Sequence, residues 1–170
     1  MKAMCMILAI ACSLLVTSCG KDSPVAPKER ASISISPAEC SVSVGGTVTM
    51  AVNVGAAKNL FAATFDLLFD EAKVSAAAVS IPPSGILGTG STLAFSHPIV
   101  GGVSVGIGRV RGEGNAGVSG SGALLQVTFV GLAAGSTGIN IKNIQFLDDA
   151  GKAVSITREL DVRGATIVVQ

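Results

Sequence analysis

Few side chains in this sequence can do chemistry, and their spacing decides which kinds. The 170 residues include one histidine and four cysteines. His97 precedes Pro98, and because the residue before proline is held to extended backbone, it fits a turn or strand edge better than a catalytic post. No second imidazole or acid cluster joins it, so a transition-metal site has no support. Asp148 and Asp149 stand beside Gly151 and put clustered oxygens on a turn, the setting of a weak Ca²⁺ site. The same residues also make an ordinary turn closed by an aspartate on its own backbone, and that reading is favoured. The glycines of GIGRVRG at 106–112 look superficially like a dinucleotide loop, but the third comes one residue late and no helix follows to hold a phosphate. Arg109 and Arg111 share a face there and offer themselves to a partner surface. No nucleophile, base and orienting acid can be named together, so no catalytic residue is assigned and an enzyme is not expected.

The cysteines carry a different message. Lys2 followed by an apolar run at 4–16 and small residues before Cys19 has the form of an export signal, too short for a stable membrane span. Val16-Thr17-Ser18-Cys19 resembles the bacterial lipobox, which implies that residues 1–18 are removed and that the Cys19 thiol, the chain's best nucleophile, takes up a diacylglyceryl group. Cys5 and Cys12 then leave with the signal, Cys40 alone persists as a thiol, and no intrachain disulfide is expected. Residues 19–31 are polar, contain two prolines and read as an extended tether. Gly20 stands where an inner-membrane retention signal would place aspartate, so the expected address is the outer membrane.

Once Lys2 is removed, 11 basic residues face 11 acidic ones, and the mature chain depends on lipid to hold a membrane. Near-neutral charge without a basic cluster excludes nucleic acid as the expected partner. Aromatics amount to 4%, with no Trp or Tyr, against 21 glycines. Closely packed sheets suit that composition better than helices.

Residues 59–79, NLFAATFDLLFDEAKVSAAAV, organise the elements that must position any site. Phe61, Ala63, Phe65, Leu67 and Phe69 alternate with Leu60, Ala62, Thr64, Asp66 and Leu68, the period of a half-buried strand. Asp70 opens a polar corner able to bond forward to backbone N–H groups, and a second strand follows at 73–79. Further strands are predicted at 32–36, 41–44, 47–54, 60–69, 92–96, 103–110, 123–130, 138–141, 144–147, 153–157 and 165–169, divided by glycine and proline turns. Leu125, Val127 and Phe129 share one parity and predict a second central strand facing the first. The glycine-rich stretch 111–122 predicts a mobile loop. The pattern specifies an all-β sandwich over residues 32–170.

Taken in order, these segments resemble a cohesin domain, the dockerin-binding module of cellulosome scaffoldins. SVSVGGTVT at 41–49 is similar to the family's opening, NLFAATFDLLFD at 59–70 to its strand ending in an aromatic and an aspartate, and GSGALLQVTF at 120–129 to its glycine-led strand; LDDAG at 147–151 and GATIVV at 164–169 are similar to its last turn and strand. The resemblance implies a nine-stranded jelly roll related to carbohydrate-binding modules. It also implies a protein partner bearing a dockerin, held on one flat sheet face. Two outward positions that are usually Asn and Asp fall on Ala62 and Thr64, with Asp66 and Leu68 farther along the same face. Dockerins fold around Ca²⁺, so the ion enters through the partner and the chain itself is expected to need no cofactor. A monomeric domain is expected. Carbohydrate binding is the second hypothesis, weakened by the missing Trp and Tyr and by phenylalanines that mostly point inward. Edge-to-edge assembly with another copy or an envelope protein is the third.

Overall fold

The computed structural model describes residues 30–88, 92–112, 115–154 and 160–170. The signal segment, Cys19 and the tether up to residue 29 lie outside the described residues.

Eleven strands and no helix make up the described chain: β1 (Ser32–Ser36), β2 (Glu39–Val42), β3 (Thr47–Leu60), β4 (Ala62–Leu68), β5 (Val74–Ser80), β6 (Thr92–Ile99), β7 (Gly102–Arg109), β8 (Val118–Gly131), β9 (Gly135–Leu147), β10 (Asp161–Arg163) and β11 (Ala165–Val169). They form a five-stranded sheet in the order β10-β1-β3-β8-β5 and a six-stranded sheet in the order β2-β11-β9-β4-β7-β6. The all-β sandwich expected from the sequence is the architecture found, with eleven strands where the resemblance implied nine. Neighbours are antiparallel except that β10 runs parallel to β1 and β11 parallel to β2.

Alternation decides which sheet faces pack. On β4, Ala63, Phe65 and Leu67 are buried, and Phe61 and Phe69 continue the buried parity beyond its two ends. Leu125, Val127 and Phe129 do the same from β8 in the opposing sheet. Phe69 meets Phe129 across the sandwich edge-to-face, with centroids 5.4 Å apart and planes at 87°, an arrangement the ring quadrupoles favour beyond area burial alone. Every member of the core cluster falls between Ile33 and Val169, so the sandwich carries its own core. The corner after β4 forms as its aspartate predicts. The Asp70 carbonyl accepts from the N–H of Lys73 at 3.0 Å and of Val74 at 3.1 Å, and its Oδ1 accepts from the N–H of Ala72 at 2.9 Å.

Four expectations need correction. Leu60 is fully buried and closes β3, so it does not belong to the outward row of β4. The loop predicted at 111–122 is strand from Val118 onward, paired with the end of β3. Ala56 and Asn59 there take positive φ, and their N–H groups donate to Ser121 Oγ at 2.9 Å and Ser119 Oγ at 3.0 Å. Serine hydroxyls thus serve where the bulged ladder loses backbone partners, and tertiary pairing overrides the glycine entropy. The segments at 138–141 and 144–147 are one strand, β9, with a bulge between them. Of the predicted strand 153–157, residues 155–157 lie outside the described residues, and Ala153 makes only an isolated bridge to Leu147.

Candidate functional site

The six-stranded sheet turns one face to the core and the other outward. Strand register puts the outward residues of β9, β4, β7 and β6 in four rows. The first row is Leu147, Ala62, Gly108 and Leu93; the second is Gln145, Thr64, Gly106 and Phe95. Lys142, Asp66, Ser104 and His97 form the third, and Asn140, Leu68, Gly102 and Ile99 the fourth. Ala62, Thr64, Asp66 and Leu68 therefore stand together in line, as their spacing predicted.

Small residues shape this face. The outward positions of β7 are Gly102, Ser104, Gly106 and Gly108, which leave a trough between β4 and β6. At Gly106 the trough is filled from the side: an added Cβ would strike the Phe95 ring, with Cε1 at 2.5 Å and Cε2 at 2.7 Å. The ring thus lies across the glycine backbone while Phe95 stays 62% exposed, beside Leu93 at 67%. Of the six phenylalanines Phe95 alone is exposed; the other five are buried.

The third row is polar and is aligned by the bulge of β9. Between the pairs Asp66–Lys142 and Thr64–Gln145, β9 holds one residue more than β4. Asn143 takes φ 49° there, a left-handed conformation that asparagine tolerates better than most residues. Its Nδ2 donates to Asp66 Oδ2 at 2.6 Å. That bond, then the Ser104 hydroxyl and then the charge of His97, hold the Asp66 carboxyl below its usual range against some desolvation. The carboxylate is ionised at neutral pH.

The arginines do not join this face. Arg109 follows the inward parity of β7 and turns to the end of the sandwich, where Nη1 donates to the Ala116 carbonyl and Nη2 to Asn115 Oδ1 at 3.4 Å. Its Nε is buried without a hydrogen-bond partner among the described residues. Arg111 lies 5.9 Å from the centroid of the Phe61 ring. Both brace the segment that follows β7.

The acidic turn holds its own backbone. Asp148 Oδ1 accepts from the N–H of Ala150 at 3.0 Å and of Lys152 at 2.8 Å, while Asp149 Oδ1 accepts from Asn59 Nδ2 at 3.3 Å. Among the described residues no three His, Cys, Asp or Glu side chains come together as metal ligands. Cys40 is a half-buried free thiol, pushed up by burial and then by Glu39.

Sequence reasoning missed Phe95, Leu93 and Asn143. The glycines at 102, 106 and 108, all of one parity, were the available signal, because a strand face without side chains invites its neighbour's.

Comparison with known proteins supplies the context. The family model of the cohesin domain matches residues 33–168. Among solved structures, a non-cellulosomal cohesin from the archaeon Archaeoglobus fulgidus superposes with a TM-score of 0.63 at 20% identity, covering 83% of this chain and 91% of that one. A Clostridium acetobutylicum cohesin gives 0.61 at 18% identity, with coverages of 84% and 92%. The third ScaC cohesin of Acetivibrio cellulolyticus, solved in complex with a ScaB dockerin, gives 0.64 at 13% identity, with coverages of 82% and 98%. No curated protein matches the chain.

Proposed function

This chain belongs to the cohesin domain family, matched over residues 33–168, and on that premise we propose that it is a non-catalytic, lipid-anchored module that binds a dockerin-bearing exported protein. The observation that carries the reading is the outward face of β9-β4-β7-β6, with its trough and one charged row, on a cohesin fold. Cys19 is the proposed acylation site and residues 19–31 the tether, with the outer membrane as the address. Ca²⁺ takes part through the partner.

The full-length chain, immobilised, is tested against a panel of Ca²⁺-loaded dockerin modules. Saturable binding that EDTA reverses supports the reading, and a folded chain that binds none of them overturns it. Mass spectrometry of the N-terminal peptide after expression in a bacterium tests the anchor: an unmodified Cys19 refutes it.

One observation favours a second reading. Phe95 offers an exposed ring on the sheet face, in the same row as Thr64 and Gln145, which is the type of platform on which a sugar ring stacks. Retarded migration in gels containing soluble glucans supports it, and unchanged mobility removes it.

A further inference from the structure

The strands at the sheet edges are guarded unequally. β2 is four residues long and opens on exposed Glu39; β10 is three residues long and carries the Asp161–Arg163 ion pair; β5 is broken by a bulge between Ala76 and Ala78. Shortness, charge and bulges are the usual means of keeping an edge from pairing with a foreign strand. β6 lacks all three. Its eight residues, TLAFSHPI, include no Asp, Glu, Lys or Arg and pair with β7 without a register shift. Among the described residues nothing pairs with its outer side. The strand also overhangs the sandwich: Ser96 and Pro98, on the inward parity, are exposed, as are Phe95 and His97 on the outward one. The opposing sheet therefore leaves room beside β6 for another strand.

The hairpin fixes which backbone groups are free. Val100 and Gly101 alone join β6 to β7, so the closing pair Ile99–Gly102 exchanges hydrogen bonds, and so do the alternate pairs His97–Ser104, Phe95–Gly106 and Leu93–Gly108. The N–H and C=O groups of Thr92, Ala94 and Ser96 then point to the open side, together with the C=O of Pro98, which has no N–H to leave unpaired there. Those groups complement themselves about a two-fold axis at Phe95. With a second copy laid antiparallel, Ala94 and Ser96 exchange both bonds with Ser96 and Ala94 of that copy, and Thr92 donates to the carbonyl of its Pro98. Phe95 meets Phe95 of the second copy at a non-hydrogen-bonded site, where side chains come closest and aromatic pairs are favourable, and no like charges stand opposite each other. An axis at Ser96 would set Pro98 against Ala94 and lose bonds near the centre.

We infer that the free edge of β6 pairs with the same edge of a second copy, antiparallel about a two-fold axis at Phe95, and joins two six-stranded sheets into one. The interface is isologous, each copy giving the edge it receives, and the monomer expected from the sequence gives way to a pair. One ladder is small beside the about 1,000 Å² of a lasting complex, so the pair forms where copies are crowded, as the anchor proposed above would crowd them.

The test traps the pair by disulfide formation at high protein concentration, in full-length chains whose native cysteines are changed to serine. Paired Phe95 positions lie about 4.5 Å apart at Cα, within disulfide reach, whereas Leu93 lies four residues, about 13 Å, from its own counterpart. Phe95 and Leu93 are nearly equally exposed, 62% and 67%, so access to the thiol does not separate them. Phe95→Cys is expected to oxidise to a dimer at least tenfold faster than Leu93→Cys or Thr49→Cys, and a mixture of Leu93→Cys and His97→Cys chains to give the mixed dimer ahead of either homodimer. Adding Ser96→Pro, which removes an outward N–H, should slow the Phe95→Cys reaction tenfold. Phe95→Cys no faster than Leu93→Cys, or no preference for the mixed dimer, overturns the inference, and the mixed pair decides it even where Ser96→Pro unfolds the chain. None of these outcomes depends on dockerin binding.

Discussion

Phe129→Ala gives the sharpest test of how the two sheets are joined. Phe129 is 1% exposed, on β8, and its ring meets Phe69 from the opposite side of the sandwich. A phenylalanine buries about 200 Å², so at about 25 cal/mol per Å² its transfer from water is worth about 5 kcal/mol. Residual burial in the unfolded chain lowers this to about 3–4 kcal/mol. Loss of the edge-to-face pairing adds about 1 kcal/mol. The expected cost is about 4 kcal/mol, a large part of the 5–15 kcal/mol that holds a typical domain folded. In urea, with a slope of about 2 kcal/mol per M, the unfolding midpoint should fall by about 2 M while the slope stays constant. Phe69→Leu, alone and combined with Phe129→Leu, isolates the ring pair, with a coupling of about 0.5–1.5 kcal/mol expected. A midpoint shift below about 0.5 M, or additive single variants, refutes the claim that these rings bind one sheet to the other.

Other variants test separate features. Gly102→Ala would drive a Cβ into the Leu67 carbonyl; this backbone contact cannot swing aside, and a loss of about 2–3 kcal/mol is expected by thermal unfolding, against less than about 1 kcal/mol for Gly106→Ala, where the obstacle is the movable Phe95 ring. The folded pKa of Asp66 is depressed, so its contribution is present above the unfolded value near 3.9 and is lost as pH falls through the folded value. Asp66→Asn should therefore flatten the acid limb of the stability profile below about pH 4, and an unchanged profile refutes the bonding to Asn143 and Ser104. Asp148→Ala removes the acceptor of two backbone N–H groups and should cost about 1 kcal/mol in urea. Adding Ca²⁺ to the wild-type chain should leave its melting temperature unchanged.

Much of this fold was legible because single strands announce their own faces. The parity of Phe61, Phe65 and Phe69 located the core side of β4, and Asp70 specified the corner after it. What escaped depended on neighbours. In β6, Leu93, Phe95 and Ile99 share a parity that reads as a buried row, yet Thr92 and Ala94 face inward and Phe95 finds its cover on Gly106 instead of in the core. β8 begins five residues before its predicted start because β3 is there to pair with it. Asn143 reaches Asp66 only through a bulge, which requires knowing which strands are adjacent. Arg109 and Arg111 were linked by spacing but separated from the face by the end of β7.

The parallel pairs at the chain's two ends have a consequence for how the molecule is completed. β11 lies between β2 and β9, contributed by one of the first strands and one of the last. A chain emerging N-terminus first holds β2 without a sheet partner until Ala165–Val169 arrives, so the final stretch acts as a latch. Loss of that latch leaves two open ladders, the state most prone to pairing with a neighbouring chain. Closure that joins residues so distant in sequence is also intrinsically slow.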